Sequence, residues 1–258
     1  MATAPKTPVK SHLVDGVDYP TSDGRPMAET ALHRQVMMDL ITTLEDHFAA
    51  DPMVHVTGNL LLFYERGNKR KHIAPDVFVV RGVPKEPPRR YYLLWVEGRS
   101  PDVVIELTSK TTRREDQTKK LVLYREVLQV PEYFQFDPTE DYLRPSLQGF
   151  RLIDGVYVPI TEVSGRLPSD ALGLHLERSG QELRLYDPAT GRRLLTTAER
   201  LDEARRGLDE ARRDLDDTQR DLDEAQRDLD EAQRNNEILR REIERLRRQA
   251  GGGGADSP

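Results

Sequence analysis

Two acidic residues stand inside apolar, strand-like runs: Asp76 in Ala74-Pro75-Asp76-Val77-Phe78-Val79-Val80, and Glu106 in Asp102-Val103-Val104-Ile105-Glu106-Leu107-Thr108. A run such as Val-Val-Ile-Glu-Leu reads as a strand buried on both faces. A lone carboxylate there is costly to desolvate unless a cation or strong donors compensate it. Two such strands, each carrying an acid, point to a shared metal ion, and carboxylate oxygens suit Mg²⁺ or Mn²⁺. An ion held this way activates water for attack on a phosphodiester and stabilises the charge that develops, so the pattern suggests hydrolytic chemistry.

Strand alternation sets Asp102, Val104, Glu106 and Thr108 on one face. Asp102 is therefore a candidate third ligand, with an exposed strand start as the equal alternative. A nearby lysine would orient the water or neutralise phosphate oxygens, and Lys110, Lys119 and Lys120 are the candidates. Lys120 and Tyr124, four apart on an expected helix, share a face and can press toward the site together, whereas Lys119 reads as solvent-facing. His33 and His72 are candidate metal ligands, but lone histidines more often read as structural or surface residues. Residues 61–130 hold 15 Lys/Arg against 9 Asp/Glu although the whole chain carries a net charge of -6. That local excess suits a polyanion. Lys69, Arg70, Lys71, Arg113 and Arg114 are the expected nucleic-acid contacts.

The elements that must position these groups follow from periodicity. Ala31, Leu32, Val36, Leu40, Leu44 and Phe48 recur at helical spacing over 29–48, and Asp51-Pro52 stops that helix. Residues 54–64 predict one strand, or two kinked at Gly58-Asn59, forming a hairpin with the strand around 73–80. After the strand at 102–108, Thr111 or Thr112 caps a helix closed by Pro131, and 132–137 forms a further short strand. This succession predicts an α/β fold, a mixed sheet flanked by helices, over residues 20–140. Residues 141–197 predict a β-rich extension of that core, with Asp154-Gly155 and Ser179-Gly180 as hairpin turns. Residues 1–19 are expected to be a flexible leader.

Several ordered blocks carry a more specific signal: Pro75-Asp76; Glu106-Leu107-Thr108-Ser109-Lys110; Asp116, Lys120 and Tyr124; and Val130-Pro131-Glu132-Tyr133-Phe134-Gln135-Phe136-Asp137-Pro138. Together they resemble the Uma2-type putative restriction endonuclease family of the PD-(D/E)XK nuclease superfamily. Weaker similarity runs from about Met27 to Leu195, through Gly165-Arg166-Leu167 and Leu185-Tyr186-Asp187-Pro188. The resemblance implies a restriction-endonuclease-like core. It implies that Asp76 and Glu106 are metal-binding acids, and that Glu29 matches a first-helix glutamate directed at the metal. The superfamily lysine two residues after the second acid is Thr108 here, and Lys120 is its match by resemblance.

From Leu201 a heptad repeat begins, with leucines at 201, 208, 215, 222 and 229 and small residues three positions later. It predicts a long helix over 198–249, followed by a flexible tail at 250–258. Pairing through that helix, as a homo-oligomer with a dimer favoured, is set ahead of docking on the body. The chain has no cysteine, which excludes disulfides and thiolate metal sites. With no signal peptide and no run of membrane-spanning length, a cytoplasmic protein without membrane contact is expected. The leading reading is a Mg²⁺-dependent endonuclease acting on DNA. A catalytically weak or inactive scaffold joined through its coiled coil is the alternative, motivated by Thr108, and another metal-assisted hydrolase would use the same carboxylates.

Overall fold

The computed structural model describes residues 13–22, 30–108 and 116–251, and the chain divides into a body, residues 1–198, and a C-terminal unit, residues 199–258. As expected, the body is mixed α/β. Its main sheet has six strands: β3 (Val54–Thr57), β6 (Val77–Arg81), β8 (Val103–Leu107), β9 (Glu132–Phe136), β10 (Leu147–Ile153) and β11 (Val156–Pro159), in the order β11-β10-β9-β8-β6-β3. Within this sheet β8 and β9 pair in parallel and the other neighbours are antiparallel. A parallel pair needs a crossover; after the short helix α2 (Leu94–Glu97), helix α3 (residues 116–127) supplies it with two π-helical stretches, Asp116–Lys120 and Leu123–Val127.

Alternation along the central strands builds two cores. Val77, Val79, Val103, Ile105, Leu107, Phe134 and Phe136 face α1 (Ala31–His47), whose Val36, Leu40 and Leu44 pack on them. Phe78, Val80, Val104 and Tyr133 face the other way, toward Tyr124 and Leu128 of the α3 region, Leu62 and Tyr92. Helix α1 begins at an N-cap, Thr30, whose hydroxyl accepts from His33 N–H at 3.1 Å.

Three features depart from expectation. The predicted hairpin exists, but it is broken between two sheets. Its base pairs β3 with β6, while its tip, β4 (Leu62–Phe63) and β5 (His72–Ile73), joins β7 (Tyr92–Leu93) in a three-stranded sheet. The break lies at Gly58, where a Cβ would stand 2.1 Å from the Asp76 carbonyl oxygen. Asn59 follows with φ of 50° and donates its N–H to Pro75 O at 2.8 Å.

The β-rich extension divides too. Strands β10 and β11 complete the main sheet through the Asp154-Gly155 turn, where both residues have positive φ. Strands β12 (Leu167–Ser169), β13 (Leu174–Ser179), β14 (Glu182–Asp187) and β15 (Arg192–Arg193) form a separate four-stranded sheet. Leu174, Leu176, Leu183 and Leu185 of this sheet belong to the same core as α1, which is thus sandwiched between two sheets.

The leader ends sooner than expected. Strands β1 (Leu13–Val14) and β2 (Val17–Asp18) form a two-stranded ribbon, and Tyr19 is buried edge-on to Phe63 at 4.9 Å. Three aromatic rings in sequence-distant places hold that segment to the body: Phe63, Tyr91 and Trp95. In the C-terminal unit the heptad region is one helix, α4 (Thr197–Gly251). Among the described residues no helix is long and apolar enough to cross a membrane.

Candidate active site

The register of the main sheet brings the two acids together. Strands β6 and β8 pair Val77 with Ile105, so one step further Asp76 comes opposite Glu106. Asp76 Oδ2 reaches across to accept from Leu107 N–H at 2.7 Å. Its other oxygen, Oδ1, lies 3.4 Å from His33 Nε2 in the first turn of α1. From the opposite side, α3 delivers Lys120 and Tyr124. Lys120 Nζ donates to Glu106 Oε2 at 2.9 Å and the Tyr124 hydroxyl donates to Oε1 at 2.5 Å. The four-residue spacing of Lys120 and Tyr124 thus does what a shared helical face allows. Lys120 closes the first π-helical stretch and Tyr124 lies in the second, a placement often found at functional sites.

Burial is graded across the cluster. The Glu106 side chain is fully enclosed, whereas those of Asp76 and Lys120 each keep 15% of their surface exposed. Solvent therefore reaches the cluster at Asp76 and Lys120. Burial alone would raise the Asp76 carboxyl. The adjacent His33 ring, the Lys120 ammonium and the Leu107 N–H outweigh it and hold the group below the usual carboxylate range. Burial, reinforced by the negative charge of Glu106, pushes the Tyr124 phenol well above its ordinary value. It therefore stays protonated and donates.

The remaining sequence candidates separate. Thr108 is buried one residue past β8; its N–H donates to Phe136 O at 2.7 Å, and its Oγ1 has no hydrogen-bond partner among the described residues. Asp102 is a correction. It shares strand alternation with Glu106 but lies four residues away, about 13 Å along a strand. There its Oδ2 accepts from Arg81 N–H at 2.6 Å, so it anchors the far end of β8 and is no third ligand. Lys69, Arg70 and Lys71 are exposed on the turn joining β4 to β5. Glu29, Lys110, Arg113 and Arg114 lie outside the described residues. His33, which the sequence placed with structural or surface histidines ahead of metal ligands, is brought to 3.4 Å from Asp76. The signal was its place in the stripe His33, Val36, Met37, Leu40 and Leu44, where a polar ring faces the interior.

Among the described residues there is no group of three or more His, Asp and Glu side chains suited to a metal ion. The described site offers two carboxylates. That donor set fits Mg²⁺, which is commonly held by one or two carboxylates and retains its waters. Among the described residues each Asp76 oxygen has a single close partner, and Thr108 Oγ1, with none there, is one residue from Leu107, whose N–H grips Asp76.

The model of the family described as "Uma2: Putative restriction endonuclease" matches residues 12–185, the body from the first ribbon into β14. No curated protein matches the sequence. Among solved structures, a putative nuclease belonging to DUF820 from Anabaena variabilis is similar over 64% of this chain and 84% of its own, at 15% identity and a TM-score of 0.43.

Proposed function

This chain belongs to the family described as "Uma2: Putative restriction endonuclease", and we propose that it is a divalent-metal-dependent endonuclease hydrolysing phosphodiester bonds in DNA. One observation carries the proposal. Asp76 and Glu106 come opposite each other on β6 and β8, with Lys120 bound to Glu106 at 2.9 Å and reaching solvent. In this reading Asp76 and Glu106 hold Mg²⁺ or Mn²⁺. When bound, such an ion supplies an acidified water and Lewis-acid stabilisation of the phosphate. Asp76 is ionised under the influence of His33, Lys120 and Leu107, so it is ready to act as a ligand. Lys120 stands where it can neutralise a non-bridging phosphate oxygen or orient the attacking water, replacing the lysine that Thr108 does not supply. Tyr124 fixes the Glu106 rotamer from the buried side. The basic stretch 61–130 supplies the counter-charge that DNA phosphates need.

Nicking of supercoiled plasmid by the purified chain, with Mg²⁺ or Mn²⁺ and with EDTA, tests this. The expected result is metal-dependent nicking that falls at least 100-fold, on the order expected for loss of one transition-state contact, in Asp76→Asn, Glu106→Gln and Lys120→Met. Nicking that persists in both carboxylate variants refutes the assignment. The complete enclosure of Glu106 favours a second reading, a nuclease-fold module that binds without cutting. Calorimetry separates the two: Mg²⁺ binding that is lost in Asp76→Asn supports the enzyme, and no binding supports the module.

A further inference from the structure

Among the described residues, helix α4 carries an exposed, largely apolar seam. Leu201, Leu208, Leu215, Leu222, Leu229, Leu239, Ile243 and Leu246 are each about half exposed or more, from 49% to 67%. In heptad register, positions 201, 208, 215, 222, 229, 236 and 243 are a, and Ala204, Ala211, Thr218, Ala225, Ala232, Leu239 and Leu246 are d. We infer that α4 pairs with the same helix of a second copy of this chain as a parallel, in-register, two-stranded coiled coil.

The seam alone does not choose an orientation, because small residues at d let two helices approach closely either way. The flanking charges do choose. The g positions are acidic or neutral through most of the helix (Gly207, Asp214, Asp221, Asp228, Asn235 and Glu242), and the e positions are basic or neutral (Arg205, Arg212, Gln219, Gln226, Gln233, Arg240 and Arg247). Antiparallel pairing sets g against g and e against e, acid on acid and base on base. Parallel pairing sets each g against the following e of the other helix. Asp214, Asp221 and Asp228 then meet the partner's Gln219, Gln226 and Gln233, and Glu242 meets the partner's Arg247. Arg200 against the partner's Arg205 is the one repulsive layer.

Asn236 argues independently for the same arrangement. At an a position in a parallel, in-register pair it lies opposite itself, so the two amides hydrogen-bond to each other. An antiparallel pair would set it against an apolar d residue and leave the amide unpaired, a cost of about 1–3 kcal/mol. The area is sufficient. About 50 helical residues span roughly 75 Å, and a strip roughly 10 Å wide buries about 750 Å² per chain, close to a standard stable interface. Parallel pairing also brings the two Glu199 residues to within about 10 Å of each other, so two bodies are tethered at the same end of the coil.

The chain contains no cysteine, which makes single-cysteine variants a clean test in the full-length protein. Light scattering should give twice the 29.6 kDa chain mass. Leu208→Cys and, separately, Ile243→Cys should each form an interchain disulfide with itself on mild oxidation. Leu215→Asp combined with Leu222→Asp should return the protein to a single chain mass while the body's Trp95 fluorescence is unchanged. A wild-type mass of one chain overturns the inference. So does a two-chain mass in which neither cysteine variant cross-links alone, or one that survives the paired aspartates.

Discussion

Replacing Lys120 with methionine keeps the length of the side chain and removes its charge, and the structure fixes what that should cost. Unit charges 2.9 Å apart attract by about 6 kcal/mol at an effective dielectric of about 20. Much of that attraction is offset by the desolvation of both groups, so the pair itself adds little net stability. Breaking it is different, because Glu106 is fully enclosed and cannot turn to water. A buried charge stripped of its partner typically costs about 3–5 kcal/mol. Tyr124 still donates to Glu106 in the variant, which places the expectation near the lower end, about 3 kcal/mol. Glu106→Gln should cost less, about 1–2 kcal/mol, since Lys120 keeps a route to solvent. The double variant should recover part of the loss, with a coupling of at least about 1 kcal/mol. Urea unfolding at one fixed protein concentration reads this out. The single tryptophan, Trp95, packs against Tyr19 and so reports on the body. If Lys120→Met costs under about 1 kcal/mol, or if the two single losses simply add, the claim that Lys120 compensates a buried Glu106 charge is wrong.

Two further outcomes follow from residues around the site. Gly58→Ala would force a methyl to 2.1 Å from the Asp76 carbonyl oxygen and 2.6 Å from Ile41 Cδ1. Because a backbone atom must move, a loss of about 2 kcal/mol or more is expected, together with reduced nicking; wild-type stability in that variant would show that Gly58 does not set the Asp76 corner. His55, enclosed on β3, has its pKa lowered to about 4, chiefly by burial and then by Arg89. Its unfolded form takes up a proton near pH 6.5 while the folded form stays neutral down to about pH 4. Stability should therefore fall as pH drops through that window, by about 2 kcal/mol between pH 7 and pH 5. Comparing urea midpoints of wild type and His55→Gln at both values isolates this share; an equal acid loss in the variant would assign it to other groups.

What the sequence made legible and what it hid divide along the range of the interactions involved. Helix α1 and the long α4 were readable because each writes a period of 3.6 or 3.5 into neighbouring residues, and strands β6, β8 and β9 because each is a short, largely apolar run bounded by turn signals. The Asp154-Gly155 turn was readable because Asp-Gly favours the type I′ hairpin turn, which has positive φ at both positions. Lys120 and Tyr124 were readable as a pair for the same local reason. The break at Gly58 was half visible as a kink, but not the partition of one hairpin between two sheets, because that depends on how closely the Asp76 carbonyl approaches. The sandwiching of α1 was hidden because its second cover, the β12–β15 sheet, comes more than 100 residues later. Asp102 shows the limit of alternation: period 2 gives the face of a strand but not the end at which a partner waits.

That limit also explains how the lysine at this site can come from elsewhere in the chain. A side chain at 108 would lie on the same face of β8 as Glu106, and Thr108 is too short to reach a carboxylate there. The need for a cation is not a property of position 108. It arises because Glu106 is enclosed, and any element packed on that face of the sheet can meet it. Helix α3 already crosses that face to connect the parallel strands β8 and β9, so a lysine on its inward side reaches Glu106 without any change in topology. The crossover imposed by parallel pairing and the compensation imposed by a buried acid are therefore satisfied by one element. A lysine restored at 108 beside Lys120 would set two cations around one enclosed carboxylate, where one already suffices.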